Sequence, residues 1–220
     1  MKLVYVLLFA TANLSISVLG ADLATINSPP EFIVKPATPA IINQLRDGGY
    51  VLFMRHSNTD PSKPDRLPNI DLNDCSTQRP LTEEGLENAR QTGRKIRKAK
   101  IPIGEVITSP MCRAKDTAKA AFVPEFSVNN LLIFTSNMTD KDKAPVVEAA
   151  RELISRPVEN RTNRVLVGHA QTLMEMIGYL PQPEGTIVVF KPMGDKHFKY
   201  IATIEPMQWN TLIHNHALKP

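Results

Sequence analysis

The sequence predicts an α/β protein, a three-layer α/β/α sandwich on a mainly parallel central sheet. Two observations carry the prediction. Short apolar runs such as Val51-Leu52-Phe53-Met54 and Val165-Leu166-Val167 read as strands buried on both faces, and segments of helical period fall between them. The length of 220 residues fits one such domain with a full core, and no repeat or low-complexity tract interrupts it.

Taken in order, Lys2 followed by the apolar run Leu3 to Ala10, with Val18-Leu19-Gly20 as a cleavage site, reads as a signal peptide over residues 1–20. An uncleaved membrane anchor is the alternative, but the apolar stretch is too short to span a bilayer and is interrupted by Thr11, Asn13 and Ser15. The expectation is an exported protein, periplasmic or secreted, with no stable membrane anchor after signal removal. Residues 21–37, punctuated by Pro29, Pro30 and Pro36, read as an extended lead-in, and residues 38–220 as a single domain.

Within that domain Thr38-Pro39 resembles an N-cap with proline at the first helical position, and Gly48-Gly49 ends the helix before the first strand. From Ser57 to Pro80 the chain is rich in Pro, Asp and Asn and reads as a long loop. Thr82 caps the next helix, with Glu83 and Glu84 in its first turn and Leu86, Ala89, Gly93 and Ile96 at helical spacing. Ile103 to Thr108 is a strand, and Ser109-Pro110 opens a helix through Ala121. Leu131 to Phe134 is a further apolar run. The period predicts a helix from about Lys143 to Ser155, with Val146, Ala149, Ala150 and Leu153 inward, and another near Gln171 to Tyr179. Thr186 to Phe190 and Phe198 to Ile204 pair as terminal strands, and Trp209 sits in a closing helix.

The chain carries 26 basic and 22 acidic residues; loss of Lys2 with the signal leaves 25 against 22. Much of the excess lies in Arg94-Lys95-Ile96-Arg97-Lys98-Ala99-Lys100, where cations suit the negative end of a helix and no aromatic residues are interleaved. A small anionic, phosphorylated substrate fits this balance better than nucleic acid does. Cys75 and Cys112 enter an oxidising compartment if the export reading holds, which admits one disulfide or two free buried thiols. Neither starts a C-x5-R phosphatase loop, since Leu81 and Ala118 stand where the arginine would be, so a cysteine nucleophile is excluded.

Three strand ends carry related chemistry. Arg55-His56 follows the first strand; Ser109, Arg113 and Thr117 follow the second at spacings of four; Gly168-His169 follows a later one. Residues four apart share a helix face, so Arg113 can return to the mouth that also receives the helix's free N–H groups. Two arginines and an amide-rich helix start suit a tetrahedral dianion, and two histidines supply a nucleophile and a further donor.

On these motifs the chain resembles the histidine phosphatase superfamily, also called phosphoglycerate-mutase-like. The matches are Leu52-Phe53-Met54-Arg55-His56, Leu81-Thr82-Glu83-Glu84-Gly85, Ser109 through Ala118 as S-x3-R-x3-T-A, and Val167-Gly168-His169, in the family's order over roughly residues 40–210. Ser57 stands where a glycine commonly follows the signature histidine. The closest likeness is to short secreted or periplasmic members carrying Asp74-Cys75-Ser76-Thr77-Gln78-Arg79 and a cysteine before the third-motif arginine, which supports a Cys75–Cys112 disulfide.

The resemblance implies a phosphomonoesterase that works through phosphohistidine on His56, with Arg55, Arg113 and His169 holding the phosphoryl oxygens and no metal or cofactor required. The segment after the central strand lacks the family's usual acid. Glu184 is the preferred proton donor, with Glu175 and Asp140 as the other candidates. Thr59, Gln78 and Arg79 are candidate substrate contacts, Arg79 equally a structural ion-pair partner. His197, His214 and His216 are read as incidental, because nothing upstream completes a metal-ligand set. Asn137 and Asn160 stand in sequons that matter only in a eukaryotic source. A binding or sensing module that kept the anion pocket and lost turnover is the competing reading; a mutase conflicts with export. Sugar phosphates, lipopolysaccharide-core phosphates, inositol phosphates and phosphoproteins all present the same dianion, and selection among them rests with the 57–80 loop. Walker, dinucleotide-binding, serine-hydrolase and zincin motifs are absent from the sequence.

Overall fold

The computed structural model describes residues 31–122 and 125–214. The expected signal peptide and His216 lie outside them. All the elements belong to one unit, Phe32–Pro220.

Strand β1 (Val51–Arg55) lies between β4 (Asn163–Gly168), parallel to it, and β5 (Ile187–Gly194), antiparallel to it. The sheet continues through β2 (Ile103–Thr108) to a two-residue edge strand β3 (Ser127–Val128), both parallel, and on its other side to β6 (His197–Ile204), antiparallel. The order is β3-β2-β4-β1-β5-β6. Side-chain alternation explains the layers. Leu52, Met54, Val165, Val167, Ile187 and Val189 point to one face, where they meet Ile42, Leu45, Ile96, Ala114 and Trp209 from α1 (Pro39–Asp47), α2 (Glu83–Lys98), α3 (Cys112–Phe122) and α6 (Trp209–His214). Val51, Phe53, Leu166, Val188 and Phe190 point to the other, against Ala150, Leu153 and Ile154 of α4 (Asp140–Ser155) and Leu173 and Met176 of α5 (Ala170–Ile177). Both clusters are almost wholly buried, which is why these strands read as continuous apolar runs.

The expected α/β/α sandwich is therefore present, with local departures. Thr38 occupies the N-cap position of α1 but its side chain makes no capping bond; proline at N1 removes one donor, and the Thr38 carbonyl accepts from Ile41 N at 2.9 Å. Helix α3 starts at Cys112 rather than Ser109, because the Ser109 hydroxyl takes the Met111 N–H at 3.2 Å outside the helix. Helix α4 starts three residues before the expected Lys143, with Thr139 as a side-chain cap and Asp140 and Asp142 in its first turn. The apolar run at 131–134 yields a 3-10 turn, Asn130–Leu132, and edge strand β3 is exposed with no apolar pattern to announce it. The described part of the lead-in is extended: Ala37 N–H donates to Thr203 O of β6 at 2.8 Å, and Phe32 stacks on Tyr179 at 4.6 Å between ring centroids.

Candidate active site

Because β2, β4 and β1 are adjacent and parallel, their carboxyl ends open at the same edge of the sheet. Arg55 is in register with Gly168, the His56 N–H donates to Gly168 O at 3.0 Å, and the Ser109 N–H donates to Val167 O at 2.9 Å. Three motifs remote in the chain thus meet. The rings of His56 and His169 lie 5.4 Å apart in an edge-on arrangement.

Hydrogen bonding fixes the protonation pattern of both rings. His56 Nδ1 lies 3.0 Å from Ser57 O, an acceptor only, so Nδ1 carries the proton and Nε2 keeps the lone pair. For His169 the argument runs through Ser109. That hydroxyl oxygen accepts from Met111 N at 3.2 Å, and His169 Nε2, at 2.8 Å, is the one acceptor for its proton among the described residues, so the hydroxyl donates to Nε2 and the imidazole proton sits on Nδ1. Nδ1 of His169 is buried with no protein partner. Burial holds both imidazoles well below the ordinary histidine pKa, and the nearby Arg113 charge pushes in the same direction. Both are neutral in the free protein.

The guanidiniums are held from behind. Arg113 is fully buried; its Nη1 donates to Asp65 Oδ1 at 3.0 Å, and its plane lies over the Phe134 ring at 5.1 Å. Arg55 donates from Nη1 to Pro181 O at 2.9 Å and Gln182 Oε1 at 2.7 Å, and from Nη2 to Glu184 Oε1 at 3.0 Å. Five buried nitrogens of these residues, Arg55 Nε, Arg79 Nε, Arg113 Nε and Nη2 and His169 Nδ1, have no protein partner. Each of the three arginines acts electrostatically on both imidazoles. An array of unpaired cationic donors beside a lone-pair nitrogen suits a dianion.

Glu184 reaches this group. Its carboxylate accepts from Arg55 and from Thr59 N and Oγ1, at 2.8–3.1 Å, and lies 3.9 Å from His56 Nδ1 and 3.8 Å from Arg79 Nη2. Gly185, at φ +86°, lets the chain turn here so that its N–H donates to His56 O at 2.9 Å. Glu175 and Asp140 instead share Lys143, at 2.8 Å and 3.5 Å, on the surface of α4 and α5. That pairing engages them elsewhere, and Glu184 alone of the three carboxylates contacts the histidine–arginine group.

The remaining candidates divide. Thr59 is engaged by Glu184. Gln78 is buried with both amide atoms in use, accepting from Cys112 N at 2.8 Å and donating to Asp71 O at 2.8 Å, so it braces the loop. The Gln78 and Ser109 bonds also occupy the Cys112 and Met111 amides, two of the N–H groups at the start of this helix. Arg79 is partly exposed near Glu184, which fits either role foreseen for it. Cys75 and Cys112 form a disulfide, Cα–Cα 5.7 Å, tying the 57–80 loop to the residue before Arg113. Thr117 accepts from Ser57 N at 2.9 Å. His197 is exposed at the start of β6. Asp65 and Phe134 were missed: one is a single acid in a polar loop, the other the end of an apolar run, and neither carries a period or a motif. Among the described residues no group of three or more His, Cys, Asp or Glu could hold a metal ion.

Residues 51–124 match the family model described as histidine phosphatase superfamily (branch 1). None of the curated proteins matches the chain in sequence. Among solved structures, an Escherichia coli K-12 protein carrying the assignment alpha-ribazole-5'-P phosphatase superposes with a TM-score of 0.52 at 14% identity, over 71% of this chain and 97% of its own. The protein histidine phosphatase SixA complexed with tungstate gives 0.48 at 16% identity over 72% and 98%. The alpha-ribazole phosphatase of Shigella flexneri gives 0.48 at 15% identity over 71% and 96%. The E. coli structure supports the fold, and the family match spans the first histidine, the loop and the third-motif arginine. The part of the chain that carries the first histidine, the loop and the third-motif arginine is thus similar to the histidine phosphatase superfamily (branch 1), and the fold as a whole is that of the E. coli structure.

Proposed function

We propose that the protein hydrolyses small phosphomonoesters, with His56 as nucleophile. The observation that carries this reading is the set of five buried, unpaired cationic or imidazole nitrogens around a neutral histidine whose Nε2 lone pair is free. Nε2 attacks phosphorus, a P–N bond forms and the P–O bond to the leaving group breaks. Glu184 takes up a proton with the incoming ester and passes it to the departing oxygen, which leaves as the alcohol. Water then attacks the phosphohistidine with Glu184 taking a proton, which releases orthophosphate and restores neutral His56. Arg55, Arg113 and the His169 Nδ1–H stabilise the charge on the equatorial oxygens, a task that divalent ions perform in other phosphoryl-transfer sites.

The test is release of phosphate from an aryl ester, with acid-labile phosphate trapped on the protein. His56→Ala abolishes both; an unchanged rate in that variant overturns the reading. Glu184→Gln is expected to lower kcat for an alkyl phosphate by about 10²-fold or more. It should change an aryl phosphate little, because a phenolate leaves without a proton. Equal losses on both esters would make Glu184 a positioning residue for Arg55. A second reading, an anion-binding module without turnover, is favoured by the engagement of Glu184 with Arg55 and Thr59. Tight phosphate binding with no hydrolysis of any ester would select it.

We also propose export to the periplasm or medium, as in the short secreted branch. The pattern of residues 1–20 and the Cys75–Cys112 disulfide support it. N-terminal sequencing of the exported protein should begin at Ala21.

A further inference from the structure

Two cavities that share a wall lie beside the candidate site. One, of about 220 Å³, is bordered by Asp65, Arg79 and Phe134 of the site itself. The second, of about 270 Å³, shares Leu67, Phe134 and Asn137 with the first and is otherwise lined by Ile70, Leu72, Met111, Ile133 and Met138. Phe134 joins the two: its ring lies under the Arg113 guanidinium at 5.1 Å and edge-on to His169 at 5.5 Å, and it also borders the apolar cavity.

The chemistry of this second cavity is one-sided. Asn137 is its only polar residue, and it has no charged one. Leu67 is 52% exposed, and Ile70 and Leu72 are only partly buried, so a loop otherwise polar and rich in Pro, Asp and Asn contributes three apolar side chains to this wall. A sugar or inositol leaving group would lose water from its hydroxyls there and find one amide in return. An alkyl or aryl group would gain from burial along the whole wall.

We infer that the cavity between Leu67, Ile70, Leu72, Met111, Ile133 and Met138 receives the leaving group, so that the substrates are monophosphates of apolar alcohols in preference to sugar phosphates. The inference rests on the phosphatase reading above and adds the substrate class to it.

The test uses the intact protein with ethyl, butyl and hexyl phosphate, whose leaving oxygens are almost equally basic, and with glucose 6-phosphate. The matching alkylphosphonates, which cannot be hydrolysed, are titrated by calorimetry. Each methylene is expected to raise kcat/KM, and phosphonate affinity, about two- to fourfold. Ile70→Asn should flatten that dependence; Met138→Gln, on a different segment of the wall, provides the same test if the first variant fails to fold. A flat series with all esters hydrolysed, or glucose 6-phosphate outrunning hexyl phosphate, overturns the subsite and leaves the phosphatase reading standing. A chain-length dependence untouched by both substitutions also overturns it. Phosphonate affinity that rises with chain length while no ester is hydrolysed keeps the subsite and overturns the phosphatase reading.

Discussion

At the scale of single residues, the chemistry depends on where two protons sit. Ser57 O fixes the proton of His56 on Nδ1 and so frees Nε2; Ser109 fixes the proton of His169 on Nδ1. Ser109→Ala removes the second constraint. We expect kcat to fall about tenfold, the value of one lost hydrogen bond, with Ser109→Thr retaining most activity. The pH profile follows from the same site. Protonation of His56 removes the attacking lone pair, and burial with Arg113 alongside depresses its pKa. The acid limb of kcat/KM should therefore lie below the ordinary histidine value of 6.5, and activity should persist where a solvated imidazole would be protonated. An acid limb centred at or above that value would contradict the buried, arginine-flanked environment.

At the scale of elements, the site is a loop pinned onto a helix start. The 57–80 loop brings Asp65 to Arg113, Gln78 caps the Cys112 amide, and the Cys75–Cys112 bridge closes 37 residues of chain beside them. Replacing both cysteines with serine should cost about 4 kcal/mol in the chain-entropy model, read as a lower midpoint in urea. Because the same bridge holds the carrier of Asp65, KM for a phosphate ester should rise in the variant more than kcat falls. A shift in stability with KM unchanged would mean that Gln78 and Asp65 hold the loop unaided. Elsewhere the loop approaches α2 so closely that a Cβ at Gly85 would overlap the Asn58 carbonyl, which gives the L-T-x-x-G pattern a steric reason. Gly85→Ala should destabilise by about 1–3 kcal/mol through this overlap.

At the scale of the whole molecule, two neutral imidazoles buried beside three guanidiniums make stability depend on pH. Unfolded histidines take up protons near their ordinary 6.5, while the folded pKa values of His56 and His169 lie well below it. The unfolded state therefore binds more protons in that interval, and stability falls as pH drops from about 6.5 toward the folded values. Carboxylates such as Glu105, where burial raises the pKa but Arg164 and Arg156 together outweigh it and hold it below the ordinary value, lose their contribution only at more acidic pH. Thermal melts should thus begin to soften just below neutrality. In the double variant His56→Gln, His169→Gln this early decline should be absent, leaving only the carboxylate limb.

How much of this was legible in advance follows from the kind of signal each part leaves. Buried strands leave apolar runs, capped helices leave Thr-x-x-Gly and helical period, and the motif residues Arg55, His56, Arg113 and His169 stand at the ends of such elements. Local patterns in the chain therefore sufficed for the α/β/α class, for the elements β1, β2, β4 and α2, and for the four side chains that the structure brings together. Only the folded chain shows that β2, β4 and β1 are neighbours, that Asp65 and Phe134 brace Arg113, that Glu184 and not Glu175 or Asp140 joins the group, and that Gln78 bonds to the Cys112 amide. The physical reason is range: periodicity and capping are local interactions written into neighbouring residues, whereas sheet order, loop path and the partner of a given carboxylate are set by contacts across 48 to 129 residues of chain.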